Sequence, residues 1–273
     1  MSSIKPNSVT MGWLDIWPHR TLIINLAKRE VLSRYRGSWL GVLWSIINPV
    51  LLLLVYMFVF GVIFQARWPQ STGVDENFAA LLFSGLVVYI YFSEQLTSAP
   101  SLILRHENFV KKVVFPINTL AWVSVLSSLF HFVLSLMVLF LFVAIWGNGL
   151  SLSVIALIPL YFIFTVQLVA MVWFVSALGV FIRDAVYIAS FLSTALFFLS
   201  PIFYPIEAVP ASFAKVMQIN PLSFYIESTR EIVVLGNWPS GNGMLIAGLV
   251  AILSYIAAGV FFDRVKSGFA DVM

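Results

Sequence analysis

Charge is scarce in this sequence: only 10% of the 273 residues are Asp, Glu, Lys or Arg, whereas 61% are hydrophobic. Soluble globular domains carry about 25% charged residues. A soluble chain could not hide this much apolar surface, and the apolar runs recur along the whole length. The composition therefore indicates one polytopic membrane domain and not a soluble module with an anchor.

Cysteine is absent, which excludes disulfides and thiolate metal sites. The pair Gly-Lys never occurs either, so the chain has no phosphate-binding loop of the P-loop kind, and we expect no ATP site and no other cofactor on this chain. The three histidines lie in different segments, and no acidic pair has metal-ligand spacing. We expect no metal and no catalytic residues. A membrane-embedded enzyme such as an acyltransferase is the remote alternative, because it would need a cluster of acids, bases or histidines.

Acids and bases inside apolar runs, the usual mark of ion-coupled transport, are nearly missing as well. An unpaired charge at the bilayer centre costs at least about 2.5–3.5 kcal/mol. Only Glu94 falls inside an expected span, near its end, so a proton or sodium relay is poorly supported. For Asn48, Gln167 and His131, also within spans, we expect hydrogen bonds between helices.

Six apolar runs are present, each of the length that crosses a bilayer, roughly 20 residues or more. The turn Gly147-Asn148-Gly149 divides the longest uncharged run into two of them. The expected fold is an all-α polytopic membrane protein with six transmembrane helices in a domain of residues 41–262. The spans cover about residues 41–64, 78–99, 120–146, 152–182, 185–203 and 244–262.

Two segments at the membrane surface are also expected to contain helices. Within residues 1–40, the spacing of Ile24, Ala27, Val31 and Tyr35 predicts a basic amphipathic helix at the membrane surface; an anchor on anionic lipid and a partner-binding role both remain open. For residues 101–118 we expect one short helix along the membrane surface after Pro100, and for residues 263–273 a short tail.

Residues 204–240 are too polar for an ordinary crossing and too apolar for a free loop. We expect a re-entrant hairpin of two helices, about 211–219 and 222–235, hinged at Asn220-Pro221, because irregular backbone is tolerated at membrane depth where protein or water covers it.

The positive-inside rule sets the expected orientation. Six spans place both termini on one face, which collects most of the 15 lysines and arginines, while only Arg67, Lys215 and Arg230 fall on the other. We expect the termini and residues 101–118 to be cytoplasmic and the hairpin to face outward.

The stretch Arg34 to Val50 is the expected entry into the membrane, since no charge follows Arg36 until Arg67. Glycines leave room for a bend, a tryptophan anchors just beyond, and a proline removes a backbone bond one turn further in. A straight continuous helix from Lys28 to Phe64 would contradict the bend. The predicted entry hinge comprises Arg34, Arg36, Gly37, Gly41, Trp44 and Pro49.

Aromatic residues recur along one side of two spans. Aromatic faces suit the weakly positive C–H faces of sugar rings, which would let a sugar polymer slide past. Ordinary packing or lipid contact is the alternative in a chain that is 16% aromatic, and the pattern alone favours it. The candidates are Tyr56, Phe60 and Phe64 in the first span and Tyr187, Phe191 and Phe198 in the fifth.

The order of several motifs resembles the transmembrane subunit of ABC-2-type polysaccharide exporters, the Wzm-like permeases of O-antigen, capsule and teichoic-acid transport. The resemblance covers nearly the whole chain. It is carried by Arg34, Tyr35, Arg36, Ser38, Leu40, Gly41, Leu43, Trp44 and Pro49, by Phe115-Pro116, by Phe181, Arg183 and Asp184, by Ser200-Pro201-Ile202 with Tyr204, by Asn220-Pro221, and by Phe269, Ala270 and Asp271 near the end.

The resemblance implies a channel-forming permease that moves a lipid-linked polysaccharide, with O-antigen the first candidate, across the bacterial inner membrane. It implies a homodimer whose first and fifth spans line the path, and an outward gate at Asn220 and Pro221. Two copies of a separate ATPase subunit would carry ATP and Mg, and no nucleic acid is involved. That subunit would dock at Arg105, His106, Glu107, Lys111 and Lys112. A drug, small-lipid, capsule or teichoic-acid permease is the alternative.

Overall fold

The computed structural model describes residues 16–64, 78–110, 115–147 and 149–272, and all regular structure in these ranges is helical. Short 3₁₀ turns extend several of the α-helices. The α-helices are α1 (Arg20–Arg34), α2 (Trp44–Tyr56), α3 (Phe78–Ser98), α4 (Leu102–Arg105), α5 (Glu107–Val110), α6 (Thr119–Trp146), α7 (Leu157–Phe181), α8 (Ala185–Leu199), α9 (Ala211–Ile219), α10 (Pro221–Val233), α11 (Gly241–Val265) and α12 (Phe269–Val272).

Five helical segments of the described chain are long and apolar enough to cross a membrane. They confirm an all-helical polytopic protein. The expected fifth span is α8, whose 15 residues reach about 22 Å, less than the bilayer's hydrocarbon core of about 30 Å. A sixth span therefore stays a prediction. The five segments are Gly41–Ile63, Phe78–Arg105, Thr119–Trp146, Leu152–Phe181 and Gly241–Gly268.

The core is built around α3. Of the most apolar stretch of Phe78–Arg105, 78% is buried inside the molecule, whereas the figure for Gly41–Ile63 is 6%. The Tyr91 ring of α3 stacks on Phe132 of α6 with ring centroids 4.7 Å apart and meets Phe164 of α7 edge-on at 5.7 Å. The first span consequently leaves most of its apolar surface for lipid or another chain.

Helix α3 ends at Ser98, close to the predicted end of the second span at residue 99, but helical geometry continues past Pro100. Residues Ala99–Ser101 form a 3₁₀ turn with Pro100 as its second residue, and α4 follows directly. A proline is tolerated there because its missing N–H would have no partner in that first turn. The segment 101–118 therefore begins as a continuation of α3.

Helix α1 lies along the first half of α6. Its buried residues are Ile23, Ala27 and Val31, and the first two pack with Val123 of α6. The expected face named Ile24 instead, which is wrong, since that side chain is 60% exposed. Steps of three and of four residues both keep side chains on one helix face, so the spacing from Ala27 is compatible with Ile24 and with Ile23. In the structure the buried stripe steps by four residues, through Ile23, Ala27 and Val31.

The start of α6, the end of α11 and Trp173 of α7 meet at Asn118. The Asn118 amide Nδ2 donates to Asp263 Oδ1 at 2.7 Å, and its backbone oxygen accepts Trp173 Nε1 at 2.9 Å. Asp263 also pairs with Lys266 at 2.7 Å. The end of α11 therefore lies at the same end of the bundle as α1. Which side of the membrane this end faces stays a prediction.

Candidate functional site

The predicted bend between α1 and the first span is present. Helix α1 ends at Arg34, and the next regular turn begins at Gly41. Gly37 has φ +84° and Gly41 has φ +55°, which only glycine adopts without strain. No continuous helix joins Lys28 to Phe64. Motion of this bend as a hinge is a separate prediction.

One tryptophan lies inside the bend and another just after it. Trp44, the predicted anchor, is half-buried at the start of α2. Trp39, which the sequence reasoning did not single out, is 96% exposed inside the bend, next to exposed Arg36. Indole and guanidinium groups at this level match the aromatic and basic belt of a membrane interface.

Two polar contacts tie the end of α1 to the membrane helices. The Arg34 guanidinium pairs with Glu94 of α3 at 2.5 Å. Its neighbour Tyr35 shares a hydrogen bond with His131 Nδ1 of α6 at 3.1 Å. Sequence reasoning expected a hydrogen bond from His131 to another helix but named the partner of neither contact, although a lone acid inside a span needs a partner. The end of helix α1 is thus attached to α3 and α6.

The predicted docking segment faces α1 across a small cleft. A cavity of about 240 Å³ is lined by Arg29 and Glu30 of α1 and by His106 and Phe109. Burial raises the pKa of the Glu30 carboxyl, although the positive charges of His106, Arg34 and Arg105 lower it. Arg105 and Glu107 are exposed and His106 is half-buried. The other two docking candidates, Lys111 and Lys112, lie outside the described residues.

The first span is loosely packed on one side. A cavity of about 630 Å³ separates Asn48 and Pro49 of α2 from Phe83 and Val87 of α3 and from His131. Helix α2 continues through Pro49, so the predicted second weak point does not break it. The irregular part lies further on, at Met57–Ile63, where the helix widens to π geometry and Phe64 N–H donates to the Val59 carbonyl at 2.9 Å.

The three aromatic candidates of the first span divide between packing and exposure. Tyr56 stacks on Phe60 with centroids 5.9 Å apart. Phe60 also contacts Phe78 of α3 at 5.6 Å and Phe203 at 6.0 Å, so it is half-buried within the molecule. Phe64 is exposed. For Tyr56 and Phe60 the structure adds intramolecular packing to the proposed lining role.

The three candidates on α8 are all exposed. Tyr187 is 76% and Phe191 72% exposed, and Phe198 is exposed as well. Only Ala189 and Ser193 of this helix are buried. Ser193 meets α3, where Tyr89 Oη donates to its carbonyl at 2.7 Å. Helix α8 therefore presents an aromatic face away from the core.

The hairpin helices lie where they were expected and meet at Asn220. Its Oδ1 accepts the Leu222 backbone N–H at 3.1 Å and caps α10, while Pro221 occupies the first helical position. The amide Nδ2 donates to Ser200 Oγ at 2.9 Å. The Asn-Pro motif is therefore a helix cap joined to the Ser-Pro-Ile turn. Re-entry into the membrane stays a prediction.

The C-terminal motif has a packing role that the sequence did not reveal. Phe269 is fully buried, with its ring 5.9 Å from Phe181 and 5.5 Å from Phe262. Phe181 begins the motif that continues with Arg183 and Asp184. Phe269 therefore packs against the last residue of α7, next to the turn that leads into α8.

Gln167 forms the helix-to-helix bond expected of it, accepting from Tyr225 Oη of α10 at 2.7 Å. Asn48 is exposed beside the larger cavity. Within the described ranges no three His, Asp or Glu side chains come together as metal ligands. The hydrogen bond between helices is therefore confirmed for Gln167, and for Asn48 it stays a prediction.

These features define a polytopic membrane protein with a surface helix bent into its first span. The chain belongs to the ABC-2 type transporter family, whose model matches residues 21–234.

Curated relatives cover nearly the full length. The chain is 29% identical over 259 residues to an O-antigen export system permease protein, RfbA, of Myxococcus xanthus, covering 94% of this chain and 97% of that one. A protein of the same name from Klebsiella pneumoniae is 27% identical over 260 residues, covering 92% and 95%. The polysialic acid transport protein KpsM of Escherichia coli is 23% identical over 243 residues, covering 86% and 90%.

Proposed function

We propose that this chain is the permease subunit of an ATP-driven exporter that moves a lipid-linked polysaccharide, with O-antigen the first candidate, across the bacterial inner membrane. The supporting observation is the near full-length similarity to two O-antigen export permeases. The exposed aromatic face of α8 and the loosely packed first span are consistent with a subunit that forms a path with another chain.

The energy would come from a separate ATPase subunit, which would hold ATP and Mg. Such a subunit would dock on the surface formed by α1 and the α4–α5 turn. Support comes from the way Glu30, Arg105 and His106 bring these two elements into one charged cluster. In this proposal two ATPase copies serve two copies of the permease.

The path would run between two copies of this chain. Polar sugars cannot cross hydrocarbon, so the polymer needs a continuous lined route. The exposed apolar faces of α2 and α8 are large for a monomer, and pairing two copies would cover part of them. Aromatic rings on α8 would then contact sugar rings face-on without fixing them at one position.

Coupling would follow the contacts of α1. Closure of the ATPase subunits would displace the α4–α5 turn and α1 together. Arg34 and Tyr35 attach the end of α1 to α3 and α6, and from there the chain continues into α2 through the bend at Gly37 and Gly41. The displacement would reach α2 through that bend. The cavity of about 630 Å³ behind α2 leaves room for that helix to shift.

The decisive experiment is a deletion strain, in which polymer is located by accessibility to added glycosidase. Lipid-linked polysaccharide should accumulate on the cytoplasmic side and return to the cell surface when the full chain is restored. Normal surface polymer in the deletion strain would refute the proposal.

A capsule polymer is the second candidate cargo, favoured by the similarity to the polysialic acid transport protein. The same strain separates the two candidates. Loss of capsule with intact lipopolysaccharide would select the capsule polymer, and the reverse would select O-antigen.

A further inference from the structure

A buried arginine joins three elements at the end of the bundle opposite α1. Arg230 of α10 is only 5% exposed. Its Nη2 donates to the carbonyls of Pro201 at 2.7 Å and Ile202 at 3.3 Å, and its Nε donates to the Leu81 carbonyl of α3 at 3.3 Å. One side chain thus binds the turn after α8, the start of α3 and the hairpin.

A second bond reaches the same turn. Asn220 at the other end of α10 donates to Ser200 Oγ, and Ser200 precedes Pro201. Ser200, Pro201 and Ile202 are all buried, so their carbonyls need donors from the protein. Arg230 and Asn220 together form what we call the outer junction.

Helix α8 is held on α3 at a second level. Ser193 Oγ lies 2.9 Å from Tyr89 Oη and 2.7 Å from Ser93 Oγ. Tyr89 is eight residues beyond Leu81 on α3, a rise of about 12 Å. Two separated attachments prevent α8 from tilting on α3, whereas the first span is mostly unburied.

We propose that Arg230 is a positioning residue that keeps the transport path closed at this end by fixing α8 and the hairpin on α3. This inference rests on the proposed function, because it assumes that α8 lines a path. It replaces the expected hinge at Asn220-Pro221 with a fixed frame. Opening for the polymer then comes from the first span.

Arginine suits this role better than lysine. Its planar guanidinium carries five N–H donors in a fixed fork, so one group satisfies three carbonyls in different directions. Lysine offers a point charge on a flexible stem and cannot reach the same three acceptors from one position. Methionine fills similar volume without any donor and leaves all three carbonyls without this donor.

The test compares Arg230→Met and Arg230→Lys with Lys215→Met, which removes an exposed cation from α9 of the same hairpin. Each full-length variant is purified with its ATPase partner and reconstituted in liposomes loaded with carboxyfluorescein. Dye efflux without ATP, assembly by size exclusion and melting temperature are recorded. Dye efflux does not depend on the identity of the cargo.

We expect assembled Arg230→Met to release dye at least about tenfold faster than wild type, because loss of even one of the three charge-assisted hydrogen bonds would shift a closed-to-open equilibrium by that much. Arg230→Lys should be intermediate, and Lys215→Met unchanged. An assembled Arg230→Met protein with wild-type efflux would overturn the inference. A lower melting temperature without efflux would assign Arg230 to stability alone and overturn it equally.

If Arg230→Met does not assemble, Ser200→Ala decides. This variant removes the acceptor of Asn220 at the same turn and leaves Arg230 in place. A smaller increase in efflux in the same direction supports the outer junction, and wild-type efflux overturns it. Failure of the proposed function would instead show as normal surface polymer in the deletion strain, whatever the efflux.

Discussion

The guanidinium of Arg34 lies 2.5 Å from the carboxylate of Glu94, joining the last residue of α1 to the membrane helix α3. The two residues are 60 positions apart in the chain. Arg34 compensates the charge of an acid that would otherwise be unpaired inside a span. The same contact attaches the surface helix to α3. The pair therefore holds the end of α1 against α3.

The Arg34–Glu94 pair should show an asymmetry on mutation. Arg34→Ala leaves a carboxylate within the membrane region without its partner, whereas Glu94→Gln removes the charge and the need for it. Both side chains are partly exposed, so we expect Arg34→Ala to cost about 0.5–1 kcal/mol and Glu94→Gln less. Polymer export should fall in the same order.

The double variant Arg34→Glu with Glu94→Arg should recover export, because it restores the ion pair with the charges exchanged. Arg36→Ala, which removes an exposed arginine of the same bend, is the control. If the double variant does not recover export, the contact has no coupling role.

The pH dependence of stability should depend on Glu30. Burial raises the pKa of this carboxyl above its usual value of 4.5, so folding favours the protonated form. Its contribution is present below pH 4.5 and is lost as pH rises through the raised value. Above that pH, Glu30→Gln should melt at a higher temperature than wild type, and the difference should vanish toward pH 4. A constant difference in melting temperature across this pH range would show that burial does not raise the pKa of Glu30.

A close approach of two backbones makes Gly179 intolerant of a side chain. A Cβ atom at this position in α7 would overlap the Pro100 carbonyl oxygen. Backbone cannot move aside cheaply, so Gly179→Ala should destabilise by about 1–3 kcal/mol or more. Gly248→Ala in α11 is the matched control, since its Cβ would meet only Ile163 at 3.8 Å. Equal melting temperatures for the two variants would contradict the predicted clash.

The docking surface predicts a loss of partner binding on charge reversal. Changing Arg105, Lys111 and Lys112 together to glutamate should abolish co-purification with the ATPase subunit, because repulsion replaces attraction at the surface. Arg264→Glu alters an exposed cation at the same end of the bundle and should leave the complex intact. A normal yield of complex with the triple variant would remove the docking assignment.

Local sequence signals predicted the elements better than their contacts. The bend at Gly37 and Gly41 and the helices on either side of Asn220 follow from glycine, proline and capping chemistry within a few residues. The pairing of Arg34 with Glu94 does not, because it joins distant segments, and no local pattern ranks one partner above another. Pro100 shows a related limit: it predicts the end of α3 but not the 3₁₀ turn and the short α4 that follow, because a proline is compatible with both a helix end and a 3₁₀ turn.

The aromatic candidates illustrate a second limit. Tyr56, Phe60, Tyr187 and Phe191 share the same spacing along their helices, yet the first two are half-buried and the last two exposed. Spacing gives the side of a helix but not what that side faces. Only the placement of α3, Phe78 and Phe203 distinguishes packing from an open surface.

Export by a strain carrying Tyr187→Ala with Phe191→Ala tests the central claim, an α8-lined sugar path, most directly. Both side chains are exposed, so assembly and melting temperature should stay at wild-type values. Loss of two aromatic contacts with sugar should lower surface polymer up to about tenfold. Ile158→Ala with Phe162→Ala, at the same spacing on an exposed face of α7, is the control and should export normally. Unchanged export by the α8 variant, or an equal loss in both variants, would contradict the account.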